Sequence, residues 1–228
     1  KDRFYLDRSL WNKQANTLHV LPHWTWPGRE GENTPVFVYT SYPSAELFVN
    51  GKSYGKQRKL TAYESLALEG QDSLALQRRY RLIWIDVPSE PAEVQVVAYD
   101  ASGKPEKEKV TSTAGKPHHL ELVADRTRLS ADGKDLAYIT VRVVDKDGNL
   151  CPADSRMVNF SVKGAGKYRA AANGDATSLD LFHLPKMPAF SGQLTAIVQS
   201  GEQAGEIVFE ARAKGLKSGK LVLYTSEK

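Results

Sequence analysis

From Val36 onward, hydrophobic residues recur at every second position over much of the chain, the period of a strand with one buried face. Val36, Val38 and Thr40 alternate with Phe37, Tyr39 and Ser41, and Ala45, Leu47 and Val49 alternate with Glu46, Phe48 and Asn50. Asn50-Gly51 then marks a hairpin, because a type I′ turn needs positive φ at both central positions. Leu60, Tyr63, Leu66, Leu68, Leu74 and Leu76 follow no single period, so residues 60–79 read as a loop with room for a short strand. Residues 80–87 predict a strand with apolar side chains on both faces, broken by the prolines at 88 and 91. Strands are also expected over 93–99 and 109–113, with a turn at 100–103 between them. Ala114-Gly115-Lys116-Pro117 reads as a linker. The alternation resumes at 120–124, 137–144, 158–163, 194–198, 206–211 and 220–224, punctuated by Asp132-Gly133, Asp147-Gly148 and Gly164-Ala165-Gly166. Residues 177–191 hold two prolines and no clean period, and read as a long loop. Strand, turn, strand at this spacing predicts an all-β chain of two tandem sandwiches.

The first thirty residues carry a different signal. Phe4, Tyr5, Leu6, Leu10 and Trp11 suggest a short helix, too short to be stable alone. The run from Leu18 to Gly28 packs two tryptophans, two histidines and two prolines into eleven residues. In an extended chain Leu18, Val20, Pro22, Trp24 and Trp26 would share one face, and His19, Leu21, His23 and Thr25 the other. One reading is a half-buried strand leading into a β domain. The sharper reading is an aromatic surface for a sugar, with Trp24, Trp26, His23 and Tyr54 as the candidate carbohydrate-binding residues. Trp84, flanked by Ile83 and Ile85, reads as core.

Residues 4–11, then the His23-Trp24-Thr25-Trp26-Pro27-Gly28 run, then Glu46-Leu47-Phe48-Val49-Asn50-Gly51-Lys52-Ser53, resemble the C-terminal region of bacterial family 2 glycoside hydrolases of the β-galactosidase type. The segment from Ala131 to Asn149 is similar to bacterial immunoglobulin-like repeats. The resemblance implies an all-β fold of two tandem immunoglobulin-like β-sandwich domains, preceded by a short segment from the end of a catalytic (β/α) barrel. The implied division is 1–30 for the barrel-end segment with its leading strand, 31–114 for the first sandwich and 118–228 for the second. It also implies a partner, the catalytic barrel of the same polypeptide, against which the large apolar side chains of residues 1–11 would pack. Both catalytic glutamates of that family sit on barrel strands, so no catalytic residue is carried over to this chain.

Composition narrows the remaining options. The net charge is +4 and the basic residues are scattered, which argues against a nucleic-acid partner. Lys56-Gln57-Arg58-Lys59, the densest basic run, reads as a solvated loop, and the alternating signs of residues 104–109 also favour solvent. The single cysteine, Cys151, excludes an internal disulfide and a cysteine-rich metal site. No stretch approaches the ~18–20 apolar residues of a membrane-spanning helix. The chain opens without a signal-like segment and reads as a fragment, with a periplasmic or extracellular location favoured for its parent.

Candidate chemistry is sparse. Gly51-Lys52-Ser53 lacks the preceding glycine and following helix of a phosphate loop. Asp145 to Asn149 begins like a calcium loop, but its glycine falls at the fourth position and Arg156 occupies the place of the bidentate Glu, so a hairpin turn is the better reading. His118 and His119 are adjacent and should point to opposite faces of a strand, and the prolines near His19 and His23 argue against a helical pair. No metal or cofactor is expected. Three functions compete: a non-catalytic accessory region supporting a barrel and shaping its active-site rim or an oligomer interface, a stand-alone module binding a galactoside or polysaccharide, and an adhesin-like stalk.

Overall fold

The computed structural model describes residues 2–227. It divides into two compact units, Lys1–Thr113 and Ala114–Lys228. Both are antiparallel β-sandwiches in all but one strand pairing.

The first unit begins with helix α1 (Asp2–Trp11), followed by strands β1 (Leu18–Leu21), β2 (Val36–Thr40), β3 (Ser44–Val49) and β4 (Lys52–Arg58). Two short helices, α2 (Ala62–Ala67) and α3 (Ala75–Arg78), precede β5 (Leu82–Trp84), β6 (Glu93–Tyr99) and β7 (Pro105–Ser112). One sheet has the order β1-β2-β5 and the other β4-β3-β6-β7. The period-two residues face inward as expected: Leu18, Val36, Val38, Leu82 and Trp84 from the first sheet meet Ala45, Leu47, Val49, Val94, Val96 and Ala98 from the second. Asn50 and Gly51 have φ of 49° and 76°, the positive values that let β3 turn directly into β4.

Three expectations give way here. The alternation from Leu18 does not reach Trp26, because β1 ends at Leu21, ahead of Pro22, whose nitrogen has no hydrogen to donate. Residues 56–58 belong to β4 rather than to a solvated loop. β4 and β7 are edge strands, and edges carry charge without losing a core face. Residues 60–79 fold as α2 and α3 instead of a loop or strand, started by a capping box: Thr61 Oγ1 accepts from the Glu64 amide and Glu64 Oε2 accepts from the Thr61 amide.

The second unit runs β8 (His119–Ala124), β9 (Arg128–Ser130), β10 (Leu136–Val144), β11 (Met157–Gly164), β12 (Gly166–Ala172), β13 (Lys186–Pro188), β14 (Gln193–Ser200), β15 (Gly205–Ala213) and β16 (Gly219–Ser226). Its sheets have the orders β12-β14-β10-β8 and β13-β11-β15-β16-β9, with β9 parallel to β16. Ile139, Val141, Val143, Ala196 and Val198 pack against Val158, Phe160, Met187, Ile207, Phe209 and Leu223. Gly164-Ala165-Gly166 is the corner at which the chain leaves one sheet for the other. Gly164 has φ of 91°, and a Cβ on it would lie 2.1 Å from the Glu206 carbonyl oxygen, so only glycine fits. The expected long loop at 177–191 contains the short strand β13.

Candidate functional site

The most distinctive surface of the first unit lies on the outer side of its three-stranded sheet. His19 and Tyr39, paired across β1 and β2, and Phe37 and Ile83, paired across β2 and β5, sit on that side by alternation with the core residues. α1 is fastened over it. The Tyr5 ring stacks on His19 with centroids 3.9 Å apart and planes 11° apart. His19 Nε2 lies 2.8 Å from Asp2 Oδ1, at the first turn of the helix. Burial pushes the His19 pKa below its ordinary value, while the bond and charge of Asp2 pull it back up. Behind His19, the Arg81 guanidinium lies 5.3 Å from the Tyr39 ring centre and donates to the Tyr39 hydroxyl at 3.4 Å.

With Asp2, Tyr5 and Ser9 turned to the sheet, Phe4, Arg8 and Trp11 fall on the opposite face at i, i+4 and i+7. Phe4 is 61% exposed and Trp11 75% exposed. With Asp7 and Arg8 they border an open depression of about 890 Å³. A soluble surface rarely fixes two large aromatic side chains outward on one helix face without a partner. The resemblance leaves the large apolar side chains of this segment either exposed or repacked; Phe4 and Trp11 are exposed, and Tyr5, Leu6 and Leu10 are partly covered.

The four residues proposed for sugar binding have different fates. Trp24 is 2% exposed, and its Nε1 donates to the Glu90 carbonyl at 3.0 Å. It packs in the core and offers no ring face to a ligand. His23 and Trp26 do come together, with ring centres 4.1 Å apart, and the Arg29 guanidinium lies 5.2 Å from the Trp26 ring. Trp26 Nε1 is buried and has no hydrogen-bond partner among the described residues. Tyr54, on β4, packs against the core with the Lys52 ammonium 5.5 Å from its ring.

The remaining motifs resolve into structure. Asp145 is a buried turn carboxylate whose oxygens accept from the amides of Gly115, Asp147 and Asn149 and from the Asn149 side chain. His118 and His119 do not diverge as expected. His118 precedes β8, and the two Nδ1 atoms lie 3.0 Å apart. Among the described residues, no three His, Cys, Asp or Glu side chains gather into a metal site, and no helix is long and apolar enough to cross a membrane. The residues that the sequence reading missed are Tyr63, Leu66 and Leu76, all strongly exposed on α2 and α3. The Thr61-x-x-Glu64 pattern was the signal that could have placed Tyr63 and Leu66 on a helix.

Comparison with known proteins gives these features a context. Residues 120–222 match the glycoside hydrolase family 2 C-terminal domain 5, and residues 31–105 match a domain of unknown function (DUF4982). A β-galactosidase of Bacteroides ovatus, BoGH2A, is 37% identical over 228 residues, which cover 100% of this chain and 24% of that protein. A putative β-glucuronidase of Formosa agariphila is 30% identical over 178 residues, 77% of this chain and 15% of that protein. The crystal structure of a β-glycosidase from Bacteroides vulgatus superposes with a TM-score of 0.82 at 28% identity, covering 98% of this chain and 26% of that one. The chain thus spans about a quarter or less of the length of these relatives.

Proposed function

From the premise that this chain belongs to the C-terminal region of glycoside hydrolase family 2, we propose that it is the non-catalytic accessory part of a β-galactosidase-like enzyme and supports that enzyme's catalytic barrel. The single observation that carries the reading is α1. Six residues separate it from β1, yet it is fixed to His19 by the stacked Tyr5 ring and the Asp2 carboxylate, and it holds Phe4 and Trp11 away from its own unit. Such a helix suits a joint. One face is fixed to the sandwich and the other is left for the domain that precedes it in longer relatives. Burying each aromatic would contribute about 1.5–3 kcal/mol.

The test uses the parent polypeptide. Phe4→Ala with Trp11→Ala should lower the melting temperature of its catalytic domain and expose the junction to protease. In the 228-residue chain the same pair should leave melting nearly unmoved, since both side chains already face water. A parent enzyme whose melting and protease resistance ignore the pair would overturn the docking.

A further inference from the structure

α1 is not the only helix beside the three-stranded sheet. The α2–α3 excursion connects β4 to β5, an edge strand of that sheet. Arg78 is its anchor: the guanidinium donates to Asp72 Oδ2 at 3.1 Å, to Gln57 Oε1 at 3.2 Å and to the Ile83 carbonyl at 2.9 Å. The Leu60 amide returns a bond to the Arg78 carbonyl at 3.0 Å, and Arg58 pairs with Glu64. Gln57 Oε1 also accepts from the Ile83 amide at 3.2 Å. The excursion is therefore clamped to both β4 and β5.

Three of its large apolar side chains nonetheless point outward. Tyr63 is 82% exposed, Leu66 64% and Leu76 63%. Meanwhile Ser65 and Ala75, small residues, are the buried positions of α2 and α3. This inverts the usual amphipathic arrangement, in which the large apolar residues face the helix's own core.

Both ends of the excursion touch β2, on which α1 also packs. Lys59, just before α2, donates from its Nζ to the Thr40 carbonyl. Arg81, just after α3, lies on Tyr39, which neighbours His19, which stacks on Tyr5 of α1. Phe4 and Trp11 on α1, and Tyr63, Leu66 and Leu76 on α2 and α3, are thus exposed on helices linked through β2. The cations around them are short of counter-charge. Among the described residues, Lys13, Lys59, Arg79 and Arg81 have no carboxylate partner, although the adjacent Arg58 and Arg78 do, and Arg81 Nε is buried without a hydrogen bond.

We propose that α1, α2 and α3 form a single docking shelf for the upstream domain of the same polypeptide, and that the face it receives is apolar at its centre with carboxylates at its rim that pair with Arg79 and Arg81. This rests on the accessory reading given above and extends it from one helix to a defined surface. The upstream domain is the occupant because relatives of this chain are about four times its length and it corresponds to their C-terminal portion. A shelf that includes α1 lies where that domain attaches. Unpaired cations beside an apolar patch favour a partner of opposite charge over a second copy of the same surface.

The test compares hydrogen exchange in the parent polypeptide and in the 228-residue chain. Amides of residues 62–80 should exchange at least about tenfold more slowly in the parent. Leu66→Glu with Leu76→Glu should erase that difference and lower the parent's melting temperature, without moving the melting of the 228-residue chain. Equal exchange in the two forms would overturn the shelf, as would a parent indifferent to the glutamates. If the α1 pair still uncouples the barrel in that case, the accessory reading survives and only the shelf falls. If the glutamates instead dissociate a dimer of the 228-residue chain, the occupant is a second copy and the proposal is wrong.

Discussion

At the scale of single residues, Asp145 shows how a sequence motif that looks like ligand chemistry is used by the fold itself. Burial works to raise its pKa, but the bonds from Gly115, Asn149 and Asp147 outweigh it and hold the carboxyl at about 2. An unfolded Asp titrates near ~3.9. The folded state therefore binds its proton later, and the stabilisation is present above the unfolded value and lost as the pH falls from about 4 through about 2. Asp145→Asn should cost the second unit about 1–3 kcal/mol at pH 7, because an amide cannot accept all four bonds. Urea unfolding at pH 7 and pH 2 checks this: the gap between wild type and variant should shrink in acid. A gap that persists at pH 2 would mean that shape, not charge, holds the turn. The same four bonds explain why the calcium-loop echo in the sequence yields a hairpin turn: the carboxylate's acceptor sites are already occupied.

At the scale of elements, the capping box of α2 is the clearest case of a short signal overriding a weak period. Six residues cannot sustain a helix in water. α2 exists because Thr61 and Glu64 satisfy each other's amides and because Arg58, through its bond to Glu64, holds that carboxyl at about 2. Thr61→Ala should remove about 1 kcal/mol from this turn. Hydrogen exchange would then speed up across 62–80 while β3 and β6 keep their protection; equal acceleration in those strands would refute a local role. Strands β2, β3, β6, β10 and β14 were legible because each buries one full face in a hydrophobic core, which imposes period two. The misses have physical causes as well. β4 and the first part of β7, residues 105–108, lie at edges where charged residues disguise them. β12 carries a register shift between Tyr168 and Ala170, which breaks the alternation. α2 and α3 turn their apolar residues away from their own unit, so a rule that assumes inward-facing apolar residues misreads them. Trp24 and Trp26 were grouped on one face only by assuming an extended chain through Pro22.

At the scale of the whole molecule, the carboxylates bear on what the chain can do alone. Hydrolysis of a glycoside needs one carboxyl that keeps its proton near neutral pH and a second about 5 Å away for retention, or ~6.5–9.5 Å away for inversion. Every Asp or Glu among the described residues with a displaced pKa is displaced downward. Glu64 is held low by Arg58, Asp100 by Ser102, Asp175 by Thr177 and Glu210 by Arg212. Asp145 is held low against its own burial by the turn amides. These groups serve turns and ion pairs, and a group held ionised is the reverse of a general acid. The purified 228-residue chain should therefore release no nitrophenol from nitrophenyl galactosides or glucuronides, while the parent polypeptide cleaves at least one of them. Turnover by the chain that survives purification, and that disappears when a single Asp or Glu within it is changed to its amide, would show a catalytic pair formed here. It would also move this region from support of a barrel to chemistry of its own.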